Sequence, residues 1–282
     1  MHLSDLPVAM LFRCSYSWTL KRREGMDRLV ASPIFAVSLF LGMLLVLEMG
    51  RRLAIRERNG SEKEPRGVAA FEGAVFALFG LLLAFTFSGS LERFNKHREL
   101  IAEETNAIGT AYLRLDLLPK NAQLTLRALF SKYLDARLDV YRKLPDIEAA
   151  KSALITSTQM QNDIWTQAVN ASRSADSHPD AAKLLLPALN VMIDITTTRE
   201  MAANLHPPPI IFILLFGLGL GCSLFAGYGM ATSPRSWLHI LGFIAITVIT
   251  VVVILDIEYP RQGLFRADAY DQVLIDLREN MK

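Results

Sequence analysis

Residues 68–100 decide the fold, and they read VAAFEGAVFALFGLLLAFTFSGSLERFNKHREL. Up to Ser90 the only charged residue is Glu72, and about 20 mostly apolar residues suffice to cross a bilayer. Glu72 lies one turn inside the stretch, near an interface, where a charge costs little. From Leu91 onward charged and apolar residues are interspersed, and no proline occurs before Pro119. The sequence therefore predicts one long helix that crosses a membrane and continues into water.

Three further stretches are long and apolar enough to span a bilayer, at about 33–49, 209–231 and 237–255. The last two are joined by the short link 232–236, which predicts an antiparallel hairpin. A hydrophobic fraction of 51% and a mean hydropathy of +0.27 agree with a membrane protein. The net charge of only +2 gives no reason to expect binding to nucleic acid.

Between the second and third spans, the sequence predicts three more amphipathic helices over about 121–205. No strand pattern is recognisable, so the predicted fold class is all-α, with four transmembrane helices and a helical water-exposed domain. The predicted order is an N-terminal tail, disordered or a start-site extension (1–30), spans one and two (31–91), the helical domain (92–206), spans three and four (207–256) and a C-terminal amphipathic helix (257–282).

The second span has two distinct faces at 100° per residue. One face carries the aromatic stripe Phe76, Phe79, Leu83 and Phe87. Another face carries the small residues Gly73, Ala77, Gly80, Ala84 and Ser88, a spacing that lets helix backbones approach closely in a membrane. The stripe continues beyond the span every seven residues as Phe94, Ile101, Ile108 and Leu115. It predicts either ordinary packing or lipid contact, or else a hydrophobic constriction in a symmetric pore.

The sequence contains no catalytic constellation, no P-loop and no histidine pair at metal-ligand spacing. We therefore expect no enzymatic activity, no cofactor and no metal. The polar run 194–199 predicts either inter-helix hydrogen bonds with a salt bridge or a ligand-contacting surface. The charged residues near the span ends are candidates for a pore mouth or a membrane interface: Glu72, Glu92, Arg93, Asp256, Glu258 and Arg261.

Several stretches resemble known membrane proteins. Residues 80–94, GLLLAFTFSGSLERF, resemble the second membrane helix of bestrophins, especially the bacterial ones. Residues 255–263, LDIEYPRQG, and 273–279, VLIDLRE, resemble the acidic–Pro–Gly turn and the following helix of that family. Residues 103–114, EETNAIGTAYLR, together with 187–190, PALN, and 195–199, ITTTR, are similar to a bacterial family called bestrophin-like. The resemblance extends from about residue 30 to the end.

The resemblance implies a pentameric ion channel in the bacterial inner membrane, with the second helices around a central pore that has a hydrophobic neck. It also implies that the termini and the helical domain are cytoplasmic, which charge alone does not decide, because the basic residues on the two sides are comparable. The expected partners are the lipid bilayer, further copies of the chain and an inorganic ion as permeant.

Two registers for the neck follow. Anchoring the resemblance on Arg93 places Ala77, Leu81 and Phe85 at the neck, whereas the stripe selects Phe79, Leu83 and Phe87. We favour the stripe because it continues into the predicted rod. The alternative function is a non-conducting membrane scaffold or sensor that binds a partner through its helical domain. A closed ring of subunits would favour the channel, and a monomer or dimer would favour the scaffold.

Overall fold

The computed structural model describes residues 33–57, 68–143, 146–232, 236–259 and 271–281. Its eight α-helices are α1 (Pro33–Glu57), α2 (Val68–Leu113), α3 (Lys120–Arg142), α4 (Ile147–Ser172), α5 (Ala181–Ala203), α6 (Pro209–Gly229), α7 (Trp237–Glu258) and α8 (Gln272–Asn280). Short 3₁₀ turns follow α2 (Arg114–Leu117) and α6 (Met230–Thr232). The described part of the chain contains no strand, so the predicted all-α class is confirmed. The predicted tail 1–30 lies outside the described residues.

The chain divides into two compact units. Unit 1 comprises Met1–Ser90 and Pro207–Gly263, and unit 2 comprises Leu91–His206 and Leu264–Lys282. Helix α2, of 46 residues, contributes its first half to unit 1 and its second half to unit 2. At 1.5 Å per residue such a helix is roughly 70 Å long.

Unit 1 has the composition and surface of a membrane-spanning bundle. Four helices are long and apolar enough to cross a bilayer, α1, α2, α6 and α7, as the sequence predicts. Large apolar side chains that are more than half exposed lie on all four, among them Ile34, Phe71, Ile213 and Ile246. A helix with its backbone hydrogen bonds satisfied internally can present such side chains to lipid.

Two glycines bring α1 and α6 together. A Cβ atom on Gly50 would overlap the backbone carbonyl of Leu224, and a Cβ on Gly227 would overlap the backbone carbonyl of Leu47. The two helices can therefore approach until backbone meets backbone, which no larger residue at either position would allow. Accordingly, α1 packs more extensively against α6 than against any other described element.

Unit 2 is built around an apolar core. The heptad residues Ile101, Ile108 and Leu115 are buried there, facing residues of α3, α4 and α5 such as Phe130. Helices α3 and α4 form an antiparallel pair, and Asp146 caps α4 by accepting a 3.1 Å hydrogen bond from the backbone N–H of Ala149. Burial of the seam against other helices of the same chain explains its seven-residue repeat.

Candidate functional site

The aromatic stripe of α2 faces the interior of unit 1. Phe79 is 4% exposed, and its Cζ would lie 3.5 Å from a Cβ on Gly219 of α6. Phe76 makes an edge-to-face contact with Phe243 of α7, with ring centroids 5.7 Å apart. Leu83 packs against the same apolar cluster, while Phe87 is 39% exposed. The neck predicted from this stripe thus consists largely of side chains that fill the interior of the single chain.

The small residues of α2 lie on a second face, next to the stripe, and this face is uncovered. Exposed positions include Gly73, Ala77, Gly80, Ala84 and Ser88, which we call the small strip. A Cβ on Gly73 or Gly80 would meet no other atom within 4 Å. Beside the strip, Leu81 and Phe85 are also uncovered, and Phe85 is 68% exposed. Within unit 1, α2 therefore packs inward through Phe76, Phe79 and Leu83 and leaves the small strip, Leu81 and Phe85 uncovered.

The residues predicted for a pore mouth or interface lie in different parts of the chain. Glu72 lies beside Gly229, near the point where α6 ends and α7 begins. Asp256 and Glu258 lie in the last turn of α7, which is about 30 Å of helix from its start. Unit 1 thus places Glu72 at one end and the α7 carboxylates at the other. Unit 2 contributes an exposed Glu92 and a half-buried Arg93, and Arg261 lies outside the described residues.

Unit 2 contains a buried ionic cluster of one carboxylate and two guanidinium groups. Glu104 is fully buried, and its Oε1 accepts a 2.7 Å hydrogen bond from Nε of Arg137. Its Oε2 accepts from Nη1 of Arg199. Nη2 of Arg137 donates to the Tyr141 hydroxyl at 2.8 Å, and the Arg199 guanidinium lies 4.6 Å from the centroid of the same ring. The cluster ties α2, α3 and α5 together.

The electrostatics of this cluster keep its charges fixed. Burial acts to lower the pKa of Arg137, but Tyr141 and Glu104 outweigh it and raise the pKa above its ordinary value. Burial raises the pKa of Tyr133, whose hydroxyl accepts a 3.0 Å hydrogen bond from Nε2 of Gln161. Arg137 therefore stays cationic and Tyr133 stays neutral, which suits a structural cluster better than proton transfer.

The sequence signal for this cluster was partial. The polar run 194–199 predicts hydrogen bonds and a salt bridge as one interpretation, and Thr196 and Arg199 do make such contacts. Arg137 falls on the buried face of α3 at helical spacing from Phe130 and Tyr133, so a buried cation needing a partner could be inferred. Glu104 as that partner was missed, because 33 and 95 residues separate it from the two arginines.

Unit 2 also has a surface groove of about 500 Å³ between α2 and α5. Its walls contain Glu103, Asn106, Thr110 and Arg114 on one side and Pro187, Val191 and Ile195 on the other. Nη1 of Arg114 donates to the carbonyl of Leu184, which ties the two walls together. The groove is thus a shaped, mixed polar and apolar surface.

The chain has four apolar spans whose apolar exterior is uncovered, and a helical unit with its own core. These features define a multi-pass integral membrane protein. Within that class, the family model of the bestrophin-like domain matches residues 36–269. The chain belongs to the bestrophin-like family. No curated protein matches the chain, and no solved structure matches it.

Proposed function

We propose that this protein is a homo-oligomeric ion channel in which α2 of every subunit lines a central pore. The observation that carries the proposal is the uncovered small strip of α2. In lipid, helices associate through close packing rather than through apolar burial, so an uncovered row of small residues is a surface suited to another helix. Inside the chain, Gly50 and Gly227 let α1 and α6 pack closely in the same way.

The position of Leu81 and Phe85 beside the small strip supports a pore. In a ring of α2 helices, each strip can pack against the neighbouring helix, and the adjacent face then points toward the axis. Apolar side chains on that axis form a constriction that excludes water. We therefore place the neck at Ala77, Leu81 and Phe85. The neck of Phe79, Leu83 and Phe87 stays a prediction, and it requires Phe79 to leave its contact with α6.

The remaining features of the proposal rest on the family resemblance. The ring is a pentamer, the permeant is an inorganic ion, and the protein resides in the bacterial inner membrane with unit 2 and both termini in the cytoplasm. We also expect no enzymatic activity, because no catalytic constellation is recognisable in the sequence. Glu72, Glu92 and Arg93 supply charges of both signs, so they do not favour anions over cations.

The test begins with the protomer number of the detergent-solubilised particle, from light scattering corrected for detergent, followed by bilayer recordings. We expect about five protomers and currents that Phe85→Ala enlarges, because a smaller side chain widens and wets the neck. Phe79→Ala is the matched control: it should lower stability through the cavity that it leaves beside α6, and it should leave single-channel conductance unchanged.

Each departure from this result has a distinct meaning. Enlarged conductance in Phe79→Ala with no effect in Phe85→Ala would move the neck to the stripe. A monomeric or dimeric particle would exclude the channel. A ring that conducts neither as the wild type nor as Phe85→Ala would exclude it too.

A second candidate is a non-conducting scaffold or sensor. The groove between α2 and α5 favours it, because its walls combine charged and apolar groups that could hold a partner segment. Val191 lies at an exposed position of that groove. The scaffold would be supported if the particle is a monomer or dimer, conducts no ions, and loses partner binding in Val191→Arg.

A further inference from the structure

Unit 1 contains a second pocket, of about 320 Å³, at the end where α6 gives way to α7. It lies between α1, the 3₁₀ turn after α6 and the first turns of α7. The lining that matters is Leu44, Leu47, Arg51, Met230, Trp237 and Ile240. Most of the lining is apolar, and its charged residues are Glu48, Arg51 and Arg52 of α1, at the end of the long apolar run.

Arg51 is the unusual residue of this pocket. Its Nε and Nη1 atoms are buried and have no hydrogen-bond partner among the residues that the structure describes. The neighbouring Arg52 differs, because it extends into solvent and its Nε lies 3.1 Å from Oε1 of Glu48. The ion pair with Arg52 therefore engages the carboxylate of Glu48, which also lines the pocket. A buried cationic donor left unpaired costs more than about 1–3 kcal/mol, so an acceptor with negative charge is expected at Arg51.

The surroundings of Arg51 favour an anion. Helix α7 begins at Trp237, so the positive end of its dipole lies at the pocket, and its first turn contains no acidic residue. The Ser236 hydroxyl lies 2.5 Å from Nδ1 of His239 and makes no capping hydrogen bond to the helix. The charge of Arg51 and the dipole of α7 therefore both attract an anion.

The walls specify what carries that anion. Leu44, Leu47, Met230 and Ile240 offer hydrocarbon surface, and Trp237 is a residue type enriched at the boundary of membrane and water. Free phosphate would gain from Arg51 but not from these walls. An amphiphile with an anionic head and an acyl chain gains from both, and the bilayer supplies it at high concentration.

We propose that this pocket binds an anionic phospholipid, with the Arg51 guanidinium turning into the pocket to bind the phosphate and the apolar walls receiving part of an acyl chain. Guanidinium groups suit this task because their donors match two phosphate oxygens at once. The site does not depend on ion conduction, and a protein that conducts nothing could still have it.

The test uses Trp237 as reporter. With Trp18→Phe and Trp165→Phe, Trp237 is the only tryptophan in the chain. The protein is reconstituted in phosphatidylcholine vesicles with increasing fractions of phosphatidylglycerol that has brominated chains, and separately with brominated phosphatidylcholine. We expect brominated phosphatidylglycerol to quench Trp237 at a lower fraction than brominated phosphatidylcholine does.

Two variants separate a built site from general surface attraction. Arg51→Gln should raise the half-quenching fraction about tenfold, the effect of losing a hydrogen bond to a charged group. Arg56→Gln removes the same charge from an exposed position in the last turn of α1. The preference for phosphatidylglycerol over phosphatidylcholine should persist in this variant. Arg51→Lys should recover part of the preference, because it keeps the charge without the planar fork. Circular dichroism checks that each variant is helical.

The outcomes are decisive. Equal quenching by the two brominated lipids, or equal losses in Arg51→Gln and Arg56→Gln, would overturn the proposal. Relief of quenching by millimolar inorganic phosphate would assign the pocket to free phosphate and equally overturn the lipid. A preference that only Arg51→Gln abolishes, and that inorganic phosphate leaves intact, would establish the lipid site.

Discussion

The two units are both helical, yet different contacts hold them together. In unit 1 the closest helix pair meets backbone to backbone at Gly50 and Gly227, and large apolar residues remain on the outside. In unit 2 the helices enclose an apolar core that also contains the ion cluster of Glu104, Arg137 and Arg199. Unit 1 depends on shape at a few small residues, and unit 2 depends on burial and charge balance.

The difference follows from the solvent. Lipid is as apolar as leucine, so burying a leucine in a membrane bundle gains little and close packing has to supply the association. In water, removal of apolar surface drives folding, and a buried charge is tolerated only when it is paired. The same kind of substitution should therefore have unequal effects in the two units.

The largest effect is expected at Glu104. Glu104→Gln leaves two guanidinium groups buried without a counter-charge, and such a change typically costs 3–5 kcal/mol, so we expect about that loss in the free energy of unfolding. Denaturant titration in detergent micelles measures it. The control is Glu103→Gln at the adjacent, exposed glutamate, for which less than about 1 kcal/mol is expected.

Replacing the whole cluster refines this prediction. Glu104→Leu combined with Arg137→Met and Arg199→Met should recover most of the stability lost in Glu104→Gln, since an apolar set of similar volume needs no charge balance. If Glu104→Gln unfolds like the wild type, the cluster does not stabilise unit 2 in the way described.

A smaller effect is expected at the glycine contact of unit 1. Gly227→Ala puts a methyl group onto the Leu47 carbonyl, and overpacking of this kind costs about 1–3 kcal/mol. Gly217→Ala in the same helix is the matched control, because a Cβ there meets no atom within 4 Å. Thermal unfolding in detergent should show a lower midpoint for Gly227→Ala alone. Equal midpoints would mean that α1 and α6 can separate without loss.

The smallest effect is expected at the surface of unit 2. Arg278 binds both carboxylate oxygens of Asp135, at 2.8 and 3.0 Å, but the pair is solvent-exposed. Arg278→Ala should therefore cost no more than about 1 kcal/mol. Near 1 M salt, where the screening length falls to about 3 Å, the loss should largely vanish, whereas the loss in Glu104→Gln should persist. A salt-independent loss at Arg278 would point to packing of its stem instead.

Much of the fold can be predicted from the sequence because hydrophobic patterning is strong in both units. The apolar runs predict four spans, and the seven-residue repeat from Phe94 to Leu115 predicts the long second helix. In water that repeat also determines which face is buried, and Ile101, Ile108 and Leu115 are buried accordingly.

Hydrophobic patterning does not predict which face of α2 points into unit 1. Every face of a membrane span is apolar, so hydropathy does not distinguish the side that packs inside the chain from the side left for lipid, a pore or another subunit. Phe79 and Phe85 look equivalent in the sequence, yet one is buried and the other uncovered. The cluster of Glu104 escapes prediction for another reason, since its partners are distant in the chain.

The division of unit 2 has a consequence for biosynthesis. Its second segment begins only after the last span, and Leu274 of α8 is fully buried in the core, beside α3. Since α8 follows the last span in the chain, all four spans are translated before this core can close. The core of unit 2 therefore stays incomplete while the spans insert into the membrane, and a chain truncated before Leu274 would leave that core exposed.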